Sequence, residues 1–262
     1  MNVFRREFWS RRIGLIAWSV AMMLFVWTSM VKYQTLTADT SATSQLLKSM
    51  PDTIKTIFGM NGLDALTLPG YFGVCFLFIA IMLAVHAGLL GSSLLTVEPL
   101  TKTSEFLYTR PTSRWRILRA KLGVGVIHLA ALWLVTAVSS YVSIIMYASI
   151  RGFGELLAVF MLAAGIIQIV FFALGICLAA VLRSAQTPAK IVAMVVFVSY
   201  AISLISHFGG YEFLRFVSIF RAFDAVDIVA TNAVDMWYAS AYLAAAVVLL
   251  TVGIYRFLRR DL

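Results

Sequence analysis

The sequence predicts an all-α integral membrane protein that crosses the bilayer six times. Hydrophobic residues occupy 61% of the 262 positions and charged residues only 13%, whereas a typical soluble domain carries about 25% charged residues. The mean hydropathy is +0.92. This composition excludes soluble globular, disordered, collagen-like and coiled-coil chains. We therefore expect a single transmembrane domain over residues 1–262.

Uncharged stretches locate the spans. A transmembrane helix needs about 20 mostly apolar residues, and a charge at its centre costs about 2.5 to 3.5 kcal/mol on insertion scales. Several of the stretches are longer than the hydrocarbon core, so their helices tilt, kink or extend beyond it. The six stretches without Asp, Glu, Lys or Arg are residues 13–31, 71–97, 122–150, 156–182, 191–211 and 236–255.

The distribution of charge orients these spans. Six spans place both termini on one side, and an excess of Lys and Arg in short loops marks the cytoplasmic side. Fifteen of the 21 cations lie on the side of the termini with 4 acids, a net charge of +11, and the other side carries 6 cations and 8 acids, a net charge of −2. We predict cytoplasmic termini. The basic balance then reflects topology, so we expect membrane lipids and no nucleic acid as partners.

The N-terminal segment is basic and aromatic. Residues 1–12 contain four arginines with Phe4, Phe8 and Trp9, a composition typical of a helix lying at the membrane surface. The 19 uncharged residues that follow exceed the apolar region of a signal peptide, about 7 to 15 residues. We interpret residues 13–31 as a retained span.

The outer connections differ in length and character. Residues 34–70 begin with a polar Thr/Ser run and contain a candidate helix at 52–58, and residues 151–155 form only a tight turn. Residues 212–235 carry aromatic residues at helical spacing, interrupted by charges. They form either an outer helical hairpin covered by protein or an amphipathic loop helix.

The cytoplasmic loop at residues 98–121 predicts two helices. Pro111 ends the first, because the residue before a proline avoids the α region. Thr112 or Ser113 can cap the second, which continues into the third span. The apolar residues of the first helix either rest on lipid headgroups or dock a cytoplasmic partner.

Polar residues inside the spans leave alternatives open. His86 and His128 are costly in a membrane and serve as a helix-to-helix hydrogen bond, a ligand or a proton relay. His207, at the outer end of the fifth span, is expected to be solvated. A stripe of hydroxyls on the third span, together with His128, lines a substrate path or packs against a neighbouring helix. The stripe consists of Thr136, Ser140, Ser143 and Tyr147.

Small residues within the spans indicate close helix contacts. Gly88 and Gly91 in the second span, and Gly175 in the fourth, mark interfaces within the subunit or across a dimer. Cys75 and Cys177 fall inside spans, where thiols pack as small apolar groups, so we expect no disulfide and no metal site.

The loop between the second and third spans carries a set of motif residues, namely Glu98, Thr103, Glu105-Phe106-Leu107, Arg110-Pro111, Ser113-Arg114 and Lys121. This pattern resembles that of the membrane subunits of ABC-2 type ATP-binding-cassette transporters. The resemblance extends to Met50-Pro51-Asp52, Phe58-Gly59, Leu68-Pro69-Gly70-Tyr71, Phe223-Asp224, Asp227-Ile228 and the closing Arg259-Arg260-Asp261-Leu262. The chain departs from the family pattern at Lys102, where glycine is usual, and at Thr112, where valine is common.

This resemblance implies an ABC-2 exporter-like fold. Two permeases, identical or homologous, form the translocation path, and each rests on a cytoplasmic ATPase subunit that binds ATP and Mg. Residues 102–110 match the coupling helix that enters a groove on the ATPase, and residues 1–12 resemble the interfacial connecting helix. The resemblance further implies a multi-pass protein of the cell membrane, the bacterial cytoplasmic membrane, that exports its substrate. The implied ATPase-coupling residues are Glu98, Lys102, Thr103, Glu105, Phe106, Leu107, Arg110, Pro111, Ser113 and Arg114.

The residues themselves argue against an ATPase in this chain. A phosphate loop requires a Gly-Lys dipeptide, and none occurs in the sequence. We expect a non-catalytic permease without a cofactor of its own. Two alternatives are a partner-independent secondary transporter or channel, although the spans lack the carboxylates common in such carriers, and an intramembrane hydrolase built from Ser92 or Ser93 with His128.

Overall fold

The protein is helical throughout the residues described by the computed structural model, which are 3–60, 62–101, 113–148, 152–209 and 212–259. Within these ranges six helices are long and apolar enough to cross a membrane, which confirms the predicted fold class. The helices in chain order are α1 (Val3–Ala38), α2 (Thr40–Ser49), α3 (Asp52–Ile57), α4 (Leu68–Thr101), α5 (Arg114–Tyr147), α6 (Gly154–Val181), α7 (Thr187–Gly209), a 3₁₀ helix (Glu212–Phe216), α8 (Ile219–Ala222), α9 (Ala225–Thr231) and α10 (Met236–Arg259). The six long helices are α1, α4, α5, α6, α7 and α10.

Helix α1 joins the basic N-terminal segment to the first span without a break. It contains 36 residues, about 54 Å at 1.5 Å per residue, which exceeds the hydrocarbon core of about 30 Å. Residues 3–12, expected to resemble an interfacial connecting helix, therefore form the first turns of the same helix as residues 13–31. Their position at the membrane surface stays a prediction.

The outer connection at residues 34–70 is more helical than the sequence indicates. Helix α3 lies where the segment after Pro51 predicts it. The Thr/Ser run, expected as a polar loop, is instead helical: its first residues lie in α1, which ends at Ala38. Its later residues form α2, because good helix formers follow them. Gly70 then enters α4 so close to this connection that a Cβ atom there would lie 2.1 Å from the carbonyl oxygen of Asp64.

Helices α4 and α6 pack most closely and form the centre of the bundle. A Cβ atom at Gly175 would lie 2.3 Å from the carbonyl oxygen of Gly88, and one at Gly91 would lie 2.5 Å from that of Phe172. The small-residue faces therefore meet within the subunit. Along the outer part of the same interface, the rings of Phe76 and Phe160 pack with centroids 4.7 Å apart.

The remaining long helices surround this pair. Helix α1 packs mainly on α5, α10 packs on α6, and α7 packs on α4. The tight turn predicted at residues 151–155 lies partly outside the described residues, in which Gly152 has a positive φ of 77° just before α6. Cys75 and Cys177 are buried free thiols.

The outer segment after α7 folds back onto the bundle. It consists of the 3₁₀ helix, α8 and α9, three short pieces where a two-helix hairpin was one prediction. Phe220, Phe223 and Ile228 are buried, and these pieces contact α4, α6 and α7. Protein therefore covers α8 and the start of α9, whereas Phe213, Phe216 and Val217 at the 3₁₀ helix are exposed.

Candidate functional site at the base of the bundle

The structure describes the ends of α4 and α5, the two helices that flank the predicted coupling loop. Glu98 lies in the last turn of α4. Ser113 caps α5, as predicted, because its Oγ accepts a hydrogen bond from the backbone N–H of Arg116 at 3.3 Å. Arg114 donates to the carbonyl oxygen of Leu258 at 3.5 Å and so connects α5 to the end of α10. Seven predicted coupling residues lie outside the described part of the chain, namely Lys102, Thr103, Glu105, Phe106, Leu107, Arg110 and Pro111.

A buried polar cluster joins these two helices to α1. We call Glu7, Arg11, Ser93 and Lys121 the base cluster. The Lys121 Nζ donates to Glu7 Oε1 at 3.2 Å and to the carbonyl oxygen of Leu94 at 2.7 Å. Glu7 is 4% exposed and Lys121 only 1%. A buried charge is tolerated when it is paired and hydrogen-bonded, and both conditions are met here.

Arg11 extends the cluster to α4. Its Nε donates to Glu7 Oε2 at 3.3 Å, and its two terminal nitrogens donate to Ser93 Oγ and to the Ser93 carbonyl oxygen at 2.5 and 3.0 Å. Glu7 thus accepts from both a lysine of α5 and an arginine of α1. The cluster thus joins three helices: Glu7 links α1 to α5, and Arg11 and Lys121 link both of them to α4.

Sequence reasoning missed this cluster. From the sequence, Lys121 was predicted as a basic residue of the loop motif, and Glu7 was counted among the four acids on the side of the termini. The two residues are 114 positions apart, so no local periodicity links them. The start of α5 could have indicated the buried position of Lys121. Because α5 begins at Arg114, Lys121 lies two turns into the helix, on its buried side.

The candidate substrate-path residues lie on the face of α5 that meets α1. Thr136, Ser140 and Ser143 are fully buried. The Thr136 hydroxyl donates within its own helix to the Leu132 carbonyl oxygen at 2.8 Å. The Ser143 hydroxyl likewise donates to the Ser140 carbonyl oxygen at 3.1 Å. These bonds satisfy the hydroxyls of Thr136 and Ser143, whereas Ser140 Oγ has no hydrogen-bond partner among the described residues. A role in a substrate path stays a prediction.

The two ends of this stripe contact aromatic residues of α1. Tyr147 accepts a hydrogen bond from Trp27 Nε1 at 2.9 Å. The ring of His128 packs edge-on against Phe8, with centroids 5.4 Å apart. The stripe therefore runs along the α1–α5 interface between the contacts of Tyr147 and His128 with α1.

The serines considered for an intramembrane hydrolase bond to their own helix. Ser92 Oγ donates to the Leu89 carbonyl and Ser93 Oγ to the Leu90 carbonyl, both at 2.9 Å. Ser93 also accepts from Arg11. A serine nucleophile needs a hydrogen bond to its general base, and the hydrogen bonds of these hydroxyls go elsewhere.

A second polar network holds the outer segment. His207, expected to be solvated, is only partly exposed and its Nε2 lies 2.6 Å from Asp224 Oδ2. Asp224 also caps α9 by accepting from the Val226 N–H at 2.9 Å. Arg221 donates to Asp227 at 2.9 Å. Asp224 therefore connects the outer segment to α7 through His207, and Arg221 adds a hydrogen bond to Ser206 of α7 at 3.1 Å.

A family model for ABC-2 family transporter proteins matches residues 1–262, the whole chain. The chain belongs to the ABC-2 family of transporter proteins. A search of curated proteins found no match. In this ABC-2 protein, six apolar helices make a multi-pass membrane component of a transporter.

Proposed function

We propose that this ABC-2 protein is the permease subunit of an ATP-binding-cassette exporter and is driven by ATP hydrolysis in a separate subunit. The family match over the whole chain supports the transporter class. The observation that carries the coupling proposal is the base cluster, because α4 and α5 are the helices that enter and leave the coupling loop. The cluster fastens both of them to α1.

The base cluster gives a displacement of the coupling loop a route into the bundle. Lys121 lies 8 residues after the cap at Ser113, about 12 Å along α5. Its bonds to Glu7 and to the Leu94 carbonyl join α5 to α1 and α4. A push on the loop would therefore move three helices together.

The partner would supply the nucleotide chemistry. We propose a cytoplasmic ATPase that binds ATP and Mg, docked on residues 102–110, with a second permease copy or a homologous permease completing the path. The predicted surplus of basic residues on the side of the coupling loop supports a cytoplasmic location for this partner. The family resemblance supports a bacterial cytoplasmic membrane for the complex. Export is the direction that the family resemblance favours.

Reversing charges in the loop tests the docking. The variants Glu105→Lys and Arg110→Glu, in permease co-purified with its ATPase and reconstituted in liposomes, should lower permease-stimulated ATP hydrolysis by about tenfold or more, since a like-charge contact costs more than 1.4 kcal/mol in a docked interface. Arg116→Glu is the matched control for Arg110→Glu, because it makes the same charge change at an exposed position of α5.

Two results would contradict the proposal. Unchanged stimulation in both loop variants would mean that residues 102–110 do not couple the subunits. Substrate movement by the purified permease in liposomes without an ATPase would favour the partner-independent carrier or channel.

A further inference from the structure

A cavity of about 330 Å³ lies beside the base cluster, between α1 and α4. Arg11 and Ser93 line the end that adjoins the cluster, and His128 of α5 also borders the cavity. Trp18 and His86 line it further along the span, with ring centroids 5.5 Å apart. From Arg11 to Trp18 the lining extends seven residues along α1, about 10 Å. Polar groups therefore reach from the basic end of the bundle into an apolar span.

The two histidines present unpaired polar atoms here. His86 is 4% exposed and His128 is 1% exposed. His86 Nδ1 and His128 Nε2 have no hydrogen-bond partner among the residues that the structure describes. A buried polar atom without a partner costs about 1 to 3 kcal/mol, so a ligand that hydrogen-bonds both rings would recover this energy.

The charge beside the cavity favours an anion. The base cluster contains two cations, Arg11 and Lys121, and one acid, Glu7, a net charge of +1. A guanidinium carries five N–H donors, and Arg11 uses three of them in its hydrogen bonds to Glu7 and Ser93. Within the described residues, two N–H groups of Arg11 therefore remain for an oxyanion. The imidazole rings can each donate a further N–H.

A metal ion fits this site less well. Two imidazoles face the cavity, and no group of three or more His, Cys, Asp or Glu residues suited to a metal occurs in the described part of the chain. The neighbouring positive charge would also repel a cation. A phosphate oxyanion, in contrast, matches guanidinium and imidazole donors together.

The rest of the lining is apolar, which indicates an amphipathic ligand. Leu15, Leu89 and Leu90 complete the cavity with Trp18. Leu15 and Trp18 are only partly buried, and Gly14 at the same level is exposed, so the cavity opens on the side of the bundle that lipid would contact. Its volume is at the low end of ligand sites, which span about 300 to 1,000 Å³. It suits a headgroup with the start of its acyl chains.

We propose that this cavity binds the phosphate-bearing headgroup of an anionic lipid from the leaflet on the basic side of the membrane. Arg11, His86 and His128 donate to the phosphate oxygens. The acyl chains pack along the apolar wall and extend toward the bilayer. This binding requires neither nucleotide nor a second protein, so its failure would leave the proposed transport function standing.

Gly14 provides a substitution that fills the cavity and spares the fold. A Cβ atom at Gly14 would meet no other atom within 4 Å, and leucine is a better helix former than glycine by roughly 0.8 to 1 kcal/mol. Gly14→Leu should therefore fold and occupy the ligand space. Gly154→Leu is the matched control, because it places the same side chain in open space at the opposite end of the bundle.

The test is native mass spectrometry of the purified chain in detergent with added lipids. We expect phosphatidylglycerol to bind at least about tenfold more tightly than diacylglycerol with the same acyl chains, as one charge-assisted hydrogen bond supplies that factor. Gly14→Leu and His86→Leu should each weaken phosphatidylglycerol binding by about tenfold. Gly154→Leu should bind as the unmodified chain does.

Three results would overturn the assignment. Unaltered phosphatidylglycerol binding by both cavity variants would place the lipid elsewhere. Equal binding of diacylglycerol would rule out phosphate recognition. Displacement of the lipid by millimolar inorganic phosphate would identify a soluble anion as the ligand.

Discussion

Removing the carboxylate of Glu7 should destabilise the bundle more than removing the lysine to which it is bound. Glu7 accepts from Lys121 at 3.2 Å and from Arg11 at 3.3 Å. In Glu7→Gln the two cations stay side by side without an acid between them, and Lys121 is 1% exposed. In Lys121→Met the carboxylate keeps Arg11. The two substitutions therefore break the same ion pair with different consequences.

The expected costs follow from what each variant leaves unpaired. Leaving a buried charge without its partner costs about 3 to 5 kcal/mol, which we assign to Glu7→Gln. Lys121→Met loses charge-assisted hydrogen bonds but leaves no unpaired cation, so we expect about 1 to 3 kcal/mol. The double variant should cost less than the sum, because Lys121 is no longer present to be stranded.

A double-mutant cycle measures these terms. The free energy of unfolding of the four proteins would be compared in one detergent by denaturant titration followed by tryptophan fluorescence. Arg119→Gln is the control, since Arg119 is an exposed cation on the same helix that lies over the Trp115 ring, and its loss should cost no more than about 1 kcal/mol. A larger cost for Lys121→Met than for Glu7→Gln, or strict additivity in the double variant, would refute this account of the cluster.

Two further substitutions test helix contacts. Gly175→Ala should lower the free energy of unfolding by about 1 to 3 kcal/mol or more, because its Cβ would lie 2.3 Å from the Gly88 carbonyl oxygen and the backbone must move. Thermal unfolding measures this loss. Gly123→Ala is the control and should show no such loss, because its Cβ makes an ordinary contact at 3.6 Å. Tyr147→Phe should cost about 0.5 to 1.5 kcal/mol, since Trp27 Nε1 loses its acceptor; an unfolding curve identical to that of the unmodified chain would show that this hydrogen bond does not hold α1 on α5.

Local rules predicted much of the fold. The six spans were found because a charge inside a bilayer is so costly that uncharged stretches mark them. Ser113 was expected as one of two caps of α5 because a side-chain oxygen before a helix satisfies a free N–H. The helix after Pro51 was also predicted from the local sequence. Each of these inferences depends on residues within a few turns of one another.

Contacts between distant residues were outside the reach of these rules. The faces of Gly88 and Gly175 were recognisable as interfaces, but whether they met within the subunit depended on which helices became neighbours. His207 was assigned to solvent because its partner, Asp224, lies beyond the end of α7 in a segment whose path the sequence left open between two interpretations.

The sequence by itself determined a six-helix membrane protein with one basic side and a loop resembling that of ABC-2 permeases. Both follow from hydropathy, charge and local motif, which depend on composition along the chain. Only the tertiary structure decided that Glu7, Arg11 and Lys121 share a buried cluster, and that His86 and His128 border a cavity beside it. The reason is physical: a buried charge or imidazole is stabilised by partners on other helices, and helix packing alone selects those partners.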